Sequence, residues 1–156
     1  MDYFHIHLRQ SVTVLLPLES TAEVMTLTRG GICPIPGVAA ALLGVVNQRG
    51  KLLWVMELSD LLGIEPSPTP LRSQDNLIVV VLASSDSPTN ERRVGCVVSA
   101  LKGIVPLDPA KFRPVPTKLS PFLRSLFSGV AEVERSPAGI LNVDAVLDTI
   151  KHKKTI

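Results

Sequence analysis

His5 and His7 stand two residues apart near the start of the chain, a spacing that puts two imidazoles on one face of a strand. With a third ligand such a pair could hold Zn²⁺. No further Cys or His cluster completes that set. Cys33 and Cys96 are isolated, and the remaining histidine is His152. Ser, His and Asp are all present, but no GxSxG elbow is. The glycines match neither GxxxxGK[ST] nor GxGxxG in a βαβ setting. All three histidines lie close to a chain end, whereas a catalytic histidine ordinarily rests on an ordered scaffold. No metal, no cofactor and no catalysis are therefore expected.

One side chain still calls for a function. In LLGVVNQRGKLLWVMELSDLLGI, residues 42–64, two apolar runs flank Asn47-Gln48-Arg49-Gly50, which reads as a β-hairpin. Asn and Gly serve a tight turn because they tolerate positive φ. Arg does not, so Arg49 is either a solvated tip or a point of contact. On the residues alone the solvated tip is favoured, since surface charges rarely contribute measurably.

The elements that would position these residues are mostly strands. Phe4, Ile6 and Leu8 alternate with His5, His7 and Arg9, which reads as an amphipathic strand with the histidines on its solvent face. Gln10-Ser11 is a turn, Val12–Leu16 a strand limited by Pro17, and Glu23–Thr28 a third strand. Gly37–Leu43 is Ala-rich and reads as one or two helical turns. Ser59 is placed to cap a short turn that Gly63 closes. Residues 65–71, EPSPTPL, carry three prolines and form the best internal boundary. Leu77–Leu82 reads as a buried strand, joined by the polar loop 84–91 to Arg93–Val98, and Gly103–Leu107 as another strand. Ser120-Pro121 heads a helix with Phe122, Leu123, Leu126 and Phe127 on its apolar face and Gly129 at its end. Val130–Glu134 and Ile140–Val143 make a hairpin around SPAG, and Asp144–Ile150 has helical spacing. No sequence repeat stands out at a fixed period. Roughly ten short strands divided by a proline linker predict two small barrels.

The totals agree with a binding module. A length of 156 residues allows one domain or two small ones. The chain is 46% hydrophobic with a mean hydropathy of +0.32, yet only 4% aromatic, so its core must be aliphatic. Net charge is +2, but KHKKTI at the end holds three lysines and no acid. Without them 13 basic residues face 14 acidic ones, so the pI near 8.7 is a tail effect. A neutral, aromatic-poor body argues against nucleic acid and suits docking to other proteins. The KHKK tail itself reads as a solvated terminus rather than a lipid or nucleic-acid contact. Isolated cysteines suit a reducing compartment. No basic-then-apolar leader and no apolar run of about 20 residues is present, so a cytoplasmic protein without direct membrane insertion is expected.

The hairpin also resembles a known family. GVVNQRGKLLWVMELSDLLG is similar to the signature of the CheW-like domain, through Gly44, Val45, Asn47, Arg49, Gly50, Val55, Glu57, Leu58, Leu62 and Gly63. VLLPLESTAEVM resembles the family's early strand, with Glu23 and Val24 in its Val-x-Glu-Val segment. ICPIPG, VGCVVSALKGIVPL and SLFSGVAEVERSPAGILNVDAVL resemble later segments in the family's order, so the likeness covers about residues 3–150. Gln48, Trp54, Glu57, Ser99 and Thr21 depart from the pattern. Trp54 in place of a common proline resembles phototaxis and twitching-motility branches.

The resemblance implies a mainly β fold of two packed five-stranded SH3-like barrels with short helices. Residues 3–64 are expected to form mainly the first barrel, 65–71 the linker, 72–143 mainly the second barrel and 144–152 a terminal helix. It implies a non-catalytic adaptor that couples the cytoplasmic tips of methyl-accepting receptors to the regulatory domain of a CheA-type histidine kinase, in the cytoplasm and recruited to membrane receptor arrays. The implied partner-binding residues are Arg49 and Glu23, close together, with Val24, Asn47 and Gly50, and the likeness reverses the odds for Arg49. A CheW-like regulator or inhibitor of the kinase is the alternative. A barrel-type RNA-binding protein or small enzyme is a third reading, against which the missing nucleophile–base set and neutral body count.

Overall fold

A computed structural model describes residues 1–85 and 91–153. Its ten strands are β1 (Asp2–His7), β2 (Thr13–Pro17), β3 (Thr21–Thr28), β4 (Leu42–Gln48), β5 (Lys51–Glu57), β6 (Asn76–Ser85), β7 (Glu91–Val98), β8 (Ala100–Pro106), β9 (Phe127–Val133) and β10 (Ser136–Leu141). Three α-helices accompany them: α1 (Leu58–Leu61), α2 (Pro121–Ser125) and α3 (Val143–Lys153).

The strands form two five-stranded sheets, β8-β1-β2-β10-β9 and β3-β6-β7-β5-β4. We call them the terminal and the central barrel, because each curls until its edges meet. In the central barrel the chain beyond β3 closes on β4, with Cys33 and Val45 exchanging both backbone hydrogen bonds at 2.8 and 2.9 Å. In the terminal barrel the chain beyond β8 closes on β9 through Arg113 and Val130, both bonds at 2.8 Å.

The expected division into sequential halves is corrected by this topology. The central barrel holds β3 to β7, while the terminal barrel takes its strands from both ends of the chain. Residues 65–71 join α1 to β6 within the central barrel. They are exposed and outside any ladder, as three prolines require, but they link no two barrels.

Three apolar clusters follow from strand alternation. Val46, Leu53, Val55, Val79 and Val81 fill the central barrel, and Tyr3, Leu15, Ala131, Ala138 and Ile140 fill the terminal one. Between the barrels lies the largest cluster, with Ile6, Leu8 and Leu16 facing Met56, Val80, Leu82 and Cys96. β6 reads as an unbroken apolar run because its odd positions fill a barrel while its even ones face the other barrel. β1 is covered on both sides in the same way. His5 is buried, so the histidines do not form a solvent face.

Each barrel also lends a helix to the other. α1, which follows β5, receives the β1–β2 turn: Arg9 donates to Asp60 Oδ1 at 2.5 Å and to the Ile64 carbonyl at 2.6 Å. α3, which follows β10, receives β7: Arg92 donates to Asp148 at 2.5 Å and Asp144 at 3.3 Å.

Local corrections have simple causes. Gly37–Leu43 forms no helix. Gly37 takes φ +84°, and a turn from Ala39 to Leu42 leads directly into β4. α1 is capped by Glu57, whose carboxylate accepts from Ser59 N, while Ser59 Oγ accepts from Arg9 N. α2 is capped by Ser120 as expected, but it ends at Ser125, and Phe127 to Gly129 belong to β9. The last hairpin turns at Glu134-Arg135, both at positive φ, and SPAG lies in β10. Most of the polar loop 84–91 and the side chains of KHKKTI lie outside the described residues.

Candidate partner-binding site

The β4–β5 ladder runs to Gln48 and Lys51, leaving Arg49-Gly50 as a two-residue turn. Both take positive φ, +54° and +83°. That is the pairing whose twist matches a right-twisted hairpin, and it favours Asn or Gly at both places. Here Asn47 stands before the turn, where its Oδ1 accepts from Gly50 N at 2.9 Å. Arg49 occupies the disfavoured position itself, and strain of this kind collects at functional sites.

The turn meets β3 at the barrel seam. β3 and β4 are the two outer strands of the central sheet, so Glu23 and Arg49 are not on neighbouring strands as one would expect of a ladder pair. Curling brings them together where backbone pairing has ended. Gln48 Nε2 donates to Glu23 Oε1 at 2.6 Å, and Arg49 Nη2 lies 3.4 Å from Glu23 Oε2. Met25 packs on the interior and Val46 fills it, so alternation points Glu23 and Gln48 inward at the barrel mouth. The Glu23 side chain is 24% exposed and that of Arg49 is 79% exposed.

Of the sequence-derived residues, Glu23, Asn47, Arg49 and Gly50 gather at this rim. Val24 lies beside them but on the outer face of β3, where it is exposed. Gln48 was visible only as a departure from a family pattern. Its period-two relation to Val46 was the signal that it points the same way as the core. Leu52, 74% exposed opposite Asn47, adds an apolar neighbour to the turn. Trp54, on the same face, is half-buried against the inter-barrel core.

Titratable groups elsewhere serve structure. Burial raises the Glu57 carboxyl above the ordinary carboxylate range, against the lowering pull of the Ser59 backbone bond and of Arg9. Burial, with Glu57 nearby, pushes the Cys96 thiol far up, which leaves it inert. The His5 and His7 rings stack edge-on with centroids 5.3 Å apart. Among the described residues no group of three or more His, Cys, Asp or Glu could hold a metal.

The double barrel gathers the Glu23–Arg49 charge pair and the exposed apolar Val24 and Leu52 at one rim. The model of the CheW-like domain matches residues 3–151, so the chain belongs to the CheW-like domain family, whose members are non-catalytic. The chain is 30% identical over 113 residues to the chemotaxis protein CheW of Rhizobium meliloti (strain 1021), covering 72% of this chain and 67% of that one. The crystal structure of the scaffolding protein TtCheW from Thermoanaerobacter tengcongensis has the same fold, with a TM-score of 0.72 at 20% identity, over 90% of this chain and 88% of that one.

Proposed function

We propose that this protein is a chemosensory adaptor that couples the cytoplasmic tips of methyl-accepting receptors to the regulatory domain of a CheA-type histidine kinase, and so to the control of motility. It works in the cytoplasm, held at membrane receptor arrays by its partners. One observation carries the reading: a strained, exposed Arg49 stands beside Glu23 at a barrel rim with Asn47 and Gly50 building its turn. Arg suits a docking point because its planar fork can touch a carboxylate and still offer donors to a partner. Family membership and the CheW relative support the partners named.

The test is to titrate a receptor tip fragment and the kinase regulatory domain from the same genome against wild type, Arg49→Glu, Glu23→Arg and the double reversal. Arg49→Glu should weaken binding by about tenfold or more while the melting temperature holds, because exposed pairs contribute little to folding. Receptor binding should suffer more than kinase binding, and the double reversal should not restore it. Normal binding of both partners by Arg49→Glu would return Arg49 to a plain turn residue.

A further inference from the structure

The carboxylate of Glu23 is shared unequally between its two neighbours. Gln48 lies 2.6 Å from Oε1, a short hydrogen bond, whereas Arg49 stands 3.4 Å from Oε2 through a single nitrogen. An arginine beside a free carboxylate frequently closes on both oxygens with two parallel N–H bonds. Here the half-buried amide of Gln48 already holds one oxygen and turns the carboxylate toward the barrel mouth. Among the described residues Arg49 keeps one long contact out of five donors, with its side chain 79% exposed. We infer that Gln48 is a positioning residue: by holding Glu23 it stops that carboxylate from closing on Arg49, and it leaves the guanidinium fork free for a carboxylate on the partner.

This assignment rests on the reading of Arg49 as a docking residue and goes one step further, to the chemistry of the partner's contact and to the residue that keeps the fork available. The second nitrogen geometry of an arginine is matched by an acidic side chain rather than a lone hydroxyl or carbonyl. The position of Gln48 explains why a polar residue stands where strand alternation faces a core. Its amide offsets the partial desolvation of Glu23, which an aliphatic side chain would leave with Arg49 alone.

The test uses Gln48→Leu, with Gln48→Met as a second variant should Leu impair folding, and Glu23→Gln alone and combined with each. Binding of the receptor tip fragment and of the kinase regulatory domain is titrated for all of them and for Arg49→Glu. Gln48→Leu should weaken binding about three- to tenfold, the range expected for one hydrogen bond of ordinary strength. In the Glu23→Gln background the same change should have no further effect, because no carboxylate is left to compete. Without any partner, the Arg49 guanidinium protons should exchange more slowly in Gln48→Leu as Glu23 closes on them. A loss that persists undiminished in the Glu23→Gln background, or unaltered guanidinium exchange, overturns the inference. If Arg49→Glu weakens binding and Gln48→Leu does not, the inference alone fails. If Arg49→Glu also binds normally, the docking site and the inference fall together.

Discussion

Gly44 and Gly129 occupy the same place in the two barrels. Each immediately precedes the valine, Val45 or Val130, that receives the closing segment. A Cβ on Gly44 would lie 2.0 Å from the Cys33 carbonyl oxygen, and one on Gly129 would lie 3.2 Å from that of Arg113. The correspondence extends to the whole topology. The central barrel reads β3, β4, β5, β6, β7, and the terminal barrel has the same neighbours read as β8, β9, β10, β1, β2, with the parallel pair β5–β7 matched by β10–β2. The chain therefore contains one barrel as a circular permutation of the other.

The two glycines differ in how closely the closing strand passes, and their substitutions should differ accordingly. Gly44 also takes φ +145°, which side chains disfavour. Gly44→Ala must move the closing segment and should cost about 3 kcal/mol or more, while Gly129→Ala should cost about 1 kcal/mol or less. Urea denaturation of both variants measures this, and equal losses would contradict it.

Much of this fold was legible and the rest was hidden for identifiable reasons. Alternation gave most strands, and the continuous run at Leu77–Leu82 marked burial on both faces. Sequential halves were the wrong division because permutation sends β1 and β2 to pair with strands from the other end of the chain. No local pattern encodes that pairing. The repeat escaped notice although Gly44-Val45 and Gly129-Val130 share an offset of 85 residues (129 − 44), since few other identities survive between the segments. At the site, the resemblance named Glu23 and Arg49. Propensity alone could not join them, because they meet across a seam with no ladder between them. The Glu134-Arg135 turn was missed because neither residue signals positive φ.

Arg9 and Arg92 each tie one barrel to the helix that follows the other, but with different strength. The two arginines are similarly covered, but Arg9 reaches a carbonyl as well as Asp60, whose side chain is 38% exposed, whereas Asp144 and Asp148 facing Arg92 are 67% and 54% exposed. Arg9→Ala should cost about 1.5–2 kcal/mol, the low end for hydrogen bonds to a charged group, because one of its two bonds is exposed. Arg92→Ala should cost about 0.5–1 kcal/mol, and that loss should shrink in high salt. Denaturation at two ionic strengths separates the two, and a larger loss for Arg92→Ala would reverse the assignment.

Glu57 gives stability a pH dependence. Burial raises its carboxyl in the folded chain, with Asp60 adding to the rise and the Ser59 bond and Arg9 opposing it. A carboxyl raised on folding holds its proton longer in the folded than in the unfolded state. Stability from this group is therefore present at low pH and lost as pH rises from the unfolded carboxylate range through the higher folded value. Glu57→Gln keeps an oxygen to accept from Ser59 N and carries no charge to bury. The variant should be more stable than wild type at pH 7, and the gap should narrow toward pH 4. A gap that widens on acidification would mean that Arg9 outweighs burial.

The two hairpin tips allow strain and function to be separated. Arg49 takes φ +54° in the central barrel, and Glu134 and Arg135 take +51° and +65° in the terminal one. Each non-glycine residue in this region costs about 1 kcal/mol. Glu134→Asn with Arg135→Gly installs the residues such a turn favours and should raise stability by about 1–2 kcal/mol. Partner binding should be unchanged, because among the described residues no carboxylate and amide pair faces that tip as Glu23 and Gln48 face Arg49. Arg49→Asn removes the same strain and also one exposed ion pair worth about 0.2–1 kcal/mol, so stability should hold or rise. Binding should nevertheless fall, since the fork is gone. Melting curves and titrations on the two variants decide between the cases. If the Glu134/Arg135 variant also loses binding, the terminal barrel carries a docking surface at its own tip. If Arg49→Asn binds normally, the strain at Arg49 has no bearing on recognition.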